Sequence, residues 1–287
     1  MKKVARIYKA PPKHWMGNGF YVATMFSYKE TYKNVDPFLL LDYNAPYTFK
    51  PSAECLGVGP HPHRGFETIT LVYQGEMKHS DSHGVERLVP SGGVQWMTAG
   101  FGVLHQELLS KKFCQQGGVF EMVQIWLNLP KAHKMTPPKY QAINPEQIPV
   151  APFKKSQVRV VAGALNGVEG AAQTFSPVNV WDIELRGFLS LPIPQEHNIL
   201  ILVREGLVSV DQQEASAQHL ITFQKGGQGV HLEALKPSQV LVLTGLPLDE
   251  PIVGHGPFVM HNKAEIEQAL EDFNAGKFGT LKAGHGD

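Results

Sequence analysis

The sequence predicts an all-β protein built in two halves and closed by one short C-terminal helix. Three observations carry this reading. The 287 residues include 28 Gly and 21 Pro without a low-complexity run, and the apolar segments between them are short, as expected of many strands joined by turns. Several segments alternate with period two. Trp181, Ile183 and Leu185 share one face and Asp182, Glu184 and Arg186 the other, the pattern of a half-buried strand. Finally, Pro130, Pro137, Pro138, Pro149 and Pro152 fall within 23 residues. That density suits neither a helix nor a paired central strand and marks a crossing between the halves.

In chain order, residues 1–135 are expected to form the first half, 136–152 a proline-rich linker, 153–262 the second half, and 263–287 a helix and tail. Ile199–Val203 and Val240–Leu243 are apolar throughout and read as strands covered on both faces. For the helix, Asn262 stands as N-cap with Glu265 three residues on. Ile266, Leu270 and Phe273 then recur at helical spacing, and Gly276 supplies a left-handed stop. The last residues, Thr280–Asp287, are expected to be loose.

Composition excludes several function classes. Twenty-six basic and 26 acidic side chains cancel, so no cationic excess favours direct nucleic-acid binding. No run of 18 apolar residues suggests a membrane span. The opening residues carry Lys2 and Lys3 but no apolar core of a signal peptide. Only Cys55 and Cys114 are present, which suits a reducing compartment. A cytoplasmic monomer is expected, with the nucleus a second location in a eukaryote.

The chemistry concentrates between Gly57 and Glu107. His61-Pro62-His63 is followed by His105-Gln106-Glu107. On an extended strand, residues i and i+2 point the same way roughly 6.6 Å apart, within reach of one metal ion. Two such strands facing each other inside a barrel would offer three imidazoles and one carboxylate. Alone the pattern is weak, since 13 His in 287 residues give roughly half an HxH match by chance. Its context strengthens it. The face shared with the histidines is expected to run on through Gly65, Glu67, Ile69, Leu71 and Tyr73, turning apolar like a barrel interior, before Gly75 closes the strand. A glycine-bearing turn, Gly100-Phe101-Gly102, precedes His105.

Other candidates carry less. His79 and His83 sit among Ser80, Asp81, Ser82 and Gly84, turn chemistry that reads as a surface loop. His231-Leu232-Glu233 imitates the HxE pair in the second half. However, aligning Gly75 with Gly206 puts Pro192 and Pro194 where an HxH would stand, so that half is read as metal-free. Cys55 and Cys114 are read as small buried hydrophobes.

The HxH-x3-E spacing of His61–Glu67 and the Gly100-x-Gly102-x-x-His105 arrangement resemble the paired motifs of the cupin superfamily. More narrowly, HPHRGFETIT (61–70), VQWMTAGFGVLHQE (94–107) and QIWLNLPKAHKMTPPKYQ (124–141) resemble the signature stretches of the pirin family. FSYKETYKNVDPFLLLDYN (26–44), HSDSHG (79–84) and the closing GPFVMHNKAEIEQALEDFNAGKFG (256–279) fit as well. One departure is Gly92-Gly93, where relatives usually carry Gly-Asp.

The resemblance implies two jelly-roll β-barrels (a bicupin) with the C-terminal helix packed back on the first barrel. It also implies one metal, held in the first barrel only, by His61, His63, His105 and Glu107. Glu67 is the rival carboxylate, because ordinary cupins draw their ligand from that spacing. Three neutral imidazoles and one carboxylate suit a divalent transition metal, Fe(II) first, then Mn, Ni, Cu or Zn. Four protein ligands on an octahedral ion leave room for substrate and O2. The implied activity resembles quercetin 2,3-dioxygenase, acting on a small aromatic or enol substrate with Glu107 taking the hydroxyl proton. The alternative within the family is an iron-dependent regulator that binds a transcription factor or enzyme partner.

Overall fold

The computed structural model describes residues 1–30 and 35–281; the end of the tail, from residue 282, lies outside them. The described chain is dominated by antiparallel strands and divides into two compact units. One comprises residues 1–12, 24–39 and 146–249, the other 13–23, 40–145 and 250–287.

The unit that contains the HxH and HxE motifs is built on two large sheets, with a two-stranded sheet of Val253–His255 and Phe258–Met260 beside them. Its seven-stranded sheet has the order Lys139–Ile143, Val94–Thr98, Phe66–Gln74, Gly118–Asn128, Phe38–Phe49, Phe20–Ser27, His14–Met16. A four-stranded sheet has the order Gly57–His63, Val103–Leu109, Met77–Asp81, Glu86–Val89. Alternate residues of both face a shared core: Phe20, Val22, Val72, Phe120 and Met122 from the larger sheet meet Met77, Val89 and Leu109 from the smaller. A six-residue helix that local sequence did not suggest, Lys111–Gln116, adds Phe113 and Cys114 to this core. Ser110 caps it by accepting from the Phe113 amide.

The other unit holds a nine-stranded sheet in which Asn198–Val210 and Val230–Gly245 are central. Trp181, Ile183 and Leu185 enter its core as their alternation requires. Their neighbour Asp182 is also buried, paired with Arg159 at 3.0 Å. Ile199–Val203 and Val240–Leu243 are buried at every position.

The unit boundaries differ from those expected. Val4–Lys9 pairs with His219–Phe223 and so belongs with the C-terminal half. Residues 136–152 are more than a linker. Lys139–Ile143 forms an edge strand on Val94–Thr98, and Val150–Pro152 one on Gln157–Ala162. The prolines fall before or at the ends of these edge strands, where a missing N–H costs no ladder bond.

The C-terminal helix spans Lys263–Asn274. The Asn262 side chain accepts from the Glu265 amide at 2.9 Å, and the Glu265 carboxylate accepts from the His261 amide at 2.9 Å. Gly276, at φ 72°, ends it, and the Lys277 amide returns to the Asp272 carbonyl. The helix buries Ile266 and Ala269 with Phe258, Met260 and Phe278. Asp272 then reaches the Arg64 guanidinium at 2.9 Å, which ties the helix to the residue beside His63. No helix among the described residues is long and apolar enough to cross a membrane.

Candidate metal centre

The two motif strands are hydrogen-bonded neighbours. Gly57–His63 pairs antiparallel with Val103–Leu109, placing His61 opposite His105 and Val103 opposite His63. The register slips between His105 and Glu107, a local irregularity that re-aims the strand. Gly100, at φ 50°, makes the preceding turn, and a Cβ there would lie 1.9 Å from the Thr136 carbonyl oxygen.

Three imidazoles converge as a result. Ring centroids lie 4.2 Å apart for His61–His105, 4.8 Å for His63–His105 and 4.9 Å for His61–His63. One ring nitrogen of each falls within 4.8 Å of the others. The Gly59 carbonyl accepts from His61 Nδ1 at 2.8 Å, which leaves Nε2 free to face inward. His63 and His105 are buried, and His63 Nδ1 and both nitrogens of His105 have no hydrogen-bond partner. Burial, and then the neighbouring imidazoles, push both histidines well below the ordinary imidazole range, so they stand neutral. Buried ring nitrogens without partners are costly unless something accepts their lone pairs. Neutral nitrogen donors in this cluster are what a borderline divalent metal takes, so the residues fit such an ion.

Glu107 shares a cavity of about 280 Å³ with His61 and His63. Its Oε2 accepts from Gln124 Nε2 at 2.8 Å, and its Oε1 from Thr70 Oγ1 at 3.3 Å and from Gln95 Nε2. The remaining wall is largely apolar, with Phe20, Val22, Met122 and Trp126. A larger cavity of about 470 Å³ beside His197 and Lys225 gathers no comparable donor group among the described residues.

Glu67 lies elsewhere. Thr98 Oγ1 donates to its Oε1 at 2.7 Å, while its buried Oε2 has no partner. Burial pushes its carboxyl up to about 7, against the Thr98 hydrogen bond, the nearby Trp96 indole and the charge of Lys139. The expected continuity of face from His63 through Glu67 therefore fails. His63 ends a strand of one sheet and Phe66 begins a strand of the other. Gly65, at φ 89°, turns the chain between them where a Cβ would lie 2.1 Å from the Val259 carbonyl oxygen. Parity does not survive such a turn. The face toward the site is Phe66, which meets His63 edge-on and stacks on Trp126, and Thr70.

His79 also departs from the surface-loop reading. It lies fully buried on Met77–Asp81, opposite Glu107 in the pairing with Val103–Leu109. Its ring is 5.4 Å from His105, is stacked at 4.5 Å on Tyr140, and has Nε2 3.2 Å from Asp81 Oδ2. Only His83 is exposed, in the turn that follows. His231 and Glu233 are exposed, while Val230 and Leu232 take the core side of that strand. Cys114 is buried as expected, whereas Cys55 is exposed.

Gln95, Gln124, Thr70, His79 and Tyr140 were not singled out from sequence as site residues. Gln95, Gln124 and Tyr140 do lie in the recurring stretches 94–107 and 124–141.

Comparison with known proteins shows the family. The sequence pattern of the pirin family matches residues 19–127, and that of the pirin C-terminal cupin domain residues 180–279. A Pseudomonas aeruginosa protein named "Putative quercetin 2,3-dioxygenase" is 45% identical over 282 residues, covering 97% of this chain and 99% of its own. A pirin-like protein of Solanum lycopersicum is 36% identical over 253 residues, 86% of this chain and 83% of its own. Among solved structures, a quercetin 2,3-dioxygenase from Acinetobacter baumannii superposes with a TM-score of 0.94 at 49% identity, covering 98% of this chain and 100% of its own.

Proposed function

The chain belongs to the pirin family, and on that premise we propose that it is a metal-dependent dioxygenase that opens a flavonol-type substrate with O2. One observation carries the reading: three imidazoles converge, the two buried ones carry nitrogens without hydrogen-bond partners, and His61, His63 and Glu107 stand together on the polar part of a largely apolar cavity. His61, His63, His105 and Glu107 would hold one divalent transition metal, Fe(II) first. When bound, the metal supplies Lewis acidity toward a substrate oxygen and electron-transfer chemistry toward O2.

The protein's own contribution follows from its residues. Phe20, Val22, Met122 and Trp126 present an apolar wall suited to a flat aromatic body, and they exclude water from its reacting edge. Gln124 and Glu107 are polar groups on that wall and orient a hydroxyl-bearing edge toward the histidines. Glu107 would take the hydroxyl proton on the one Oε2 lone pair that Gln124, Thr70 and Gln95 leave open, which requires that oxygen to be free of the metal when the proton moves.

The test is loss of quercetin absorbance coupled to O2 uptake, measured on protein loaded with Fe(II) under anaerobic conditions. Turnover is expected with metal and not without it, and His61→Ala should abolish metal binding and turnover together. A fully loaded protein that consumes neither quercetin nor O2 would overturn the dioxygenase reading.

A further inference from the structure

The carboxylate of the cavity is one member of a buried chain of hydrogen bonds. Gln95 Nε2 donates to Glu107 Oε1 and reaches Thr70 Oγ1 at 3.0 Å, while Thr70 Oγ1 lies 3.3 Å from the same carboxylate oxygen. At its other end the Gln95 amide oxygen accepts from the Tyr140 hydroxyl at 3.2 Å. Gln124 closes the far side of the carboxylate at 2.8 Å. Gln95 is 0% exposed, so water cannot replace a lost partner.

A side-chain amide has two ends of nearly equal size and opposite polarity, and only its partners decide which way it points. Turned over, Gln95 would press its oxygen against the Glu107 carboxylate, acceptor against acceptor in a buried site. The acceptor-only carboxylate thus selects the amide orientation, and the Tyr140 hydroxyl, by donating to the amide oxygen, holds it there. Tyr140 supplies the hydroxyl and is itself held twice, by stacking on His79 and by pairing of the Lys139–Ile143 edge strand with Val94–Thr98.

We propose that Gln95 and Tyr140 are positioning residues of the metal centre: Tyr140 holds the Gln95 amide in the orientation the carboxylate selects, and Gln95 with Gln124 sets the plane of the Glu107 carboxylate beside the three histidines. This rests on Glu107 being the carboxylate of the site. It gives the proline-rich stretch a functional part, since its edge strand delivers the hydroxyl.

Co(II) serves as the probe, added to the full-length protein freed of metal. Affinity is read by competition with a chromophoric chelator and geometry by the visible d–d spectrum. Tyr140→Phe keeps the ring and its stacking but loses the hydroxyl. Together with Gln95→Leu it is expected to weaken Co(II) binding about tenfold and to shift the d–d bands, with about one ion still bound per chain and an unchanged far-ultraviolet circular dichroism spectrum. Tyr140→Phe decides the matter if Gln95→Leu does not fold.

Wild-type affinity and spectrum in Tyr140→Phe, with both altered in Glu107→Gln, would overturn the positioning role alone. An unaltered Glu107→Gln would instead remove Glu107 from the site, and the reading of the preceding section with it.

Discussion

Glu67 and Glu107 are two buried carboxylates of the same unit in opposite circumstances. Glu107 is met by three donors, two of them amides. Glu67 has one hydroxyl donor, and its second oxygen is buried without a partner. Hydrogen bonds to the charged form favour ionisation and bare burial opposes it, which is why Glu67 is pushed up to about 7. The folded chain therefore holds a proton on Glu67 that the unfolded chain gives up near its ordinary value of 4.5. Stability attributable to this group is intact below pH 4.5, falls as pH rises toward 7, and stays reduced above it, by on the order of 3 kcal/mol. Gln has no proton to lose, so the stability of Glu67→Gln relative to wild type should rise between pH 4.5 and 7 and level off beyond. Urea unfolding across that range checks this, and a difference independent of pH would contradict it. The same variant should keep quercetin turnover within about tenfold, because Glu67 does not line the cavity.

Among elements, the C-terminal helix has the most to do with the site. Asp272 accepts from Lys277 at 2.7 Å and from Gln268 at 3.0 Å, and pairs with Arg64 at 2.9 Å. The Lys277 ammonium first, then Arg64 and Gln268, hold its carboxyl down to about 2 against burial. Arg64 also donates to the Phe101 carbonyl and lies over the Phe278 ring at 4.7 Å, so it couples the helix to the turns on either side of the ligand strands. Removing the charge in Asp272→Asn leaves the nearly buried Arg64 without its counter-ion, which should cost about 3 kcal/mol. A lower melting temperature at pH 7 is the expected measurement. Because the carboxyl is depressed in the folded state, its contribution is present above pH 3.8 and is lost as pH falls through 2. The gap between variant and wild type should close in that acid range. The helix itself was legible in sequence because cap, stripe and stop are all local, whereas its anchor on Arg64 spans more than two hundred residues.

At the scale of the whole molecule, binding of the proposed metal to the folded chain alone would stabilise it by about 2.7 kcal/mol when free metal is 100 times its dissociation constant. The melting temperature should therefore rise on loading to about one ion per chain and fall back with a chelator. A second equivalent bound as tightly would contradict a single centre. The β class, the alternating strands, the helix with its cap and stop, and the HxH and HxE strands are all legible in the amino-acid order, because each depends on spacing within a few residues. The folded chain makes those two strands neighbours, with His61 opposite His105, which no local spacing shows. It also turns Phe66 and Thr70 rather than Glu67 to the site, buries His79 beside it, and joins Val4–Lys9 to the C-terminal half. The physical reason is common to all four. A strand offers the same backbone donors and acceptors to any partner, and a left-handed glycine such as Gly65 resets which face the next residue takes. Pairing and facing are therefore chosen by contacts far apart in the chain.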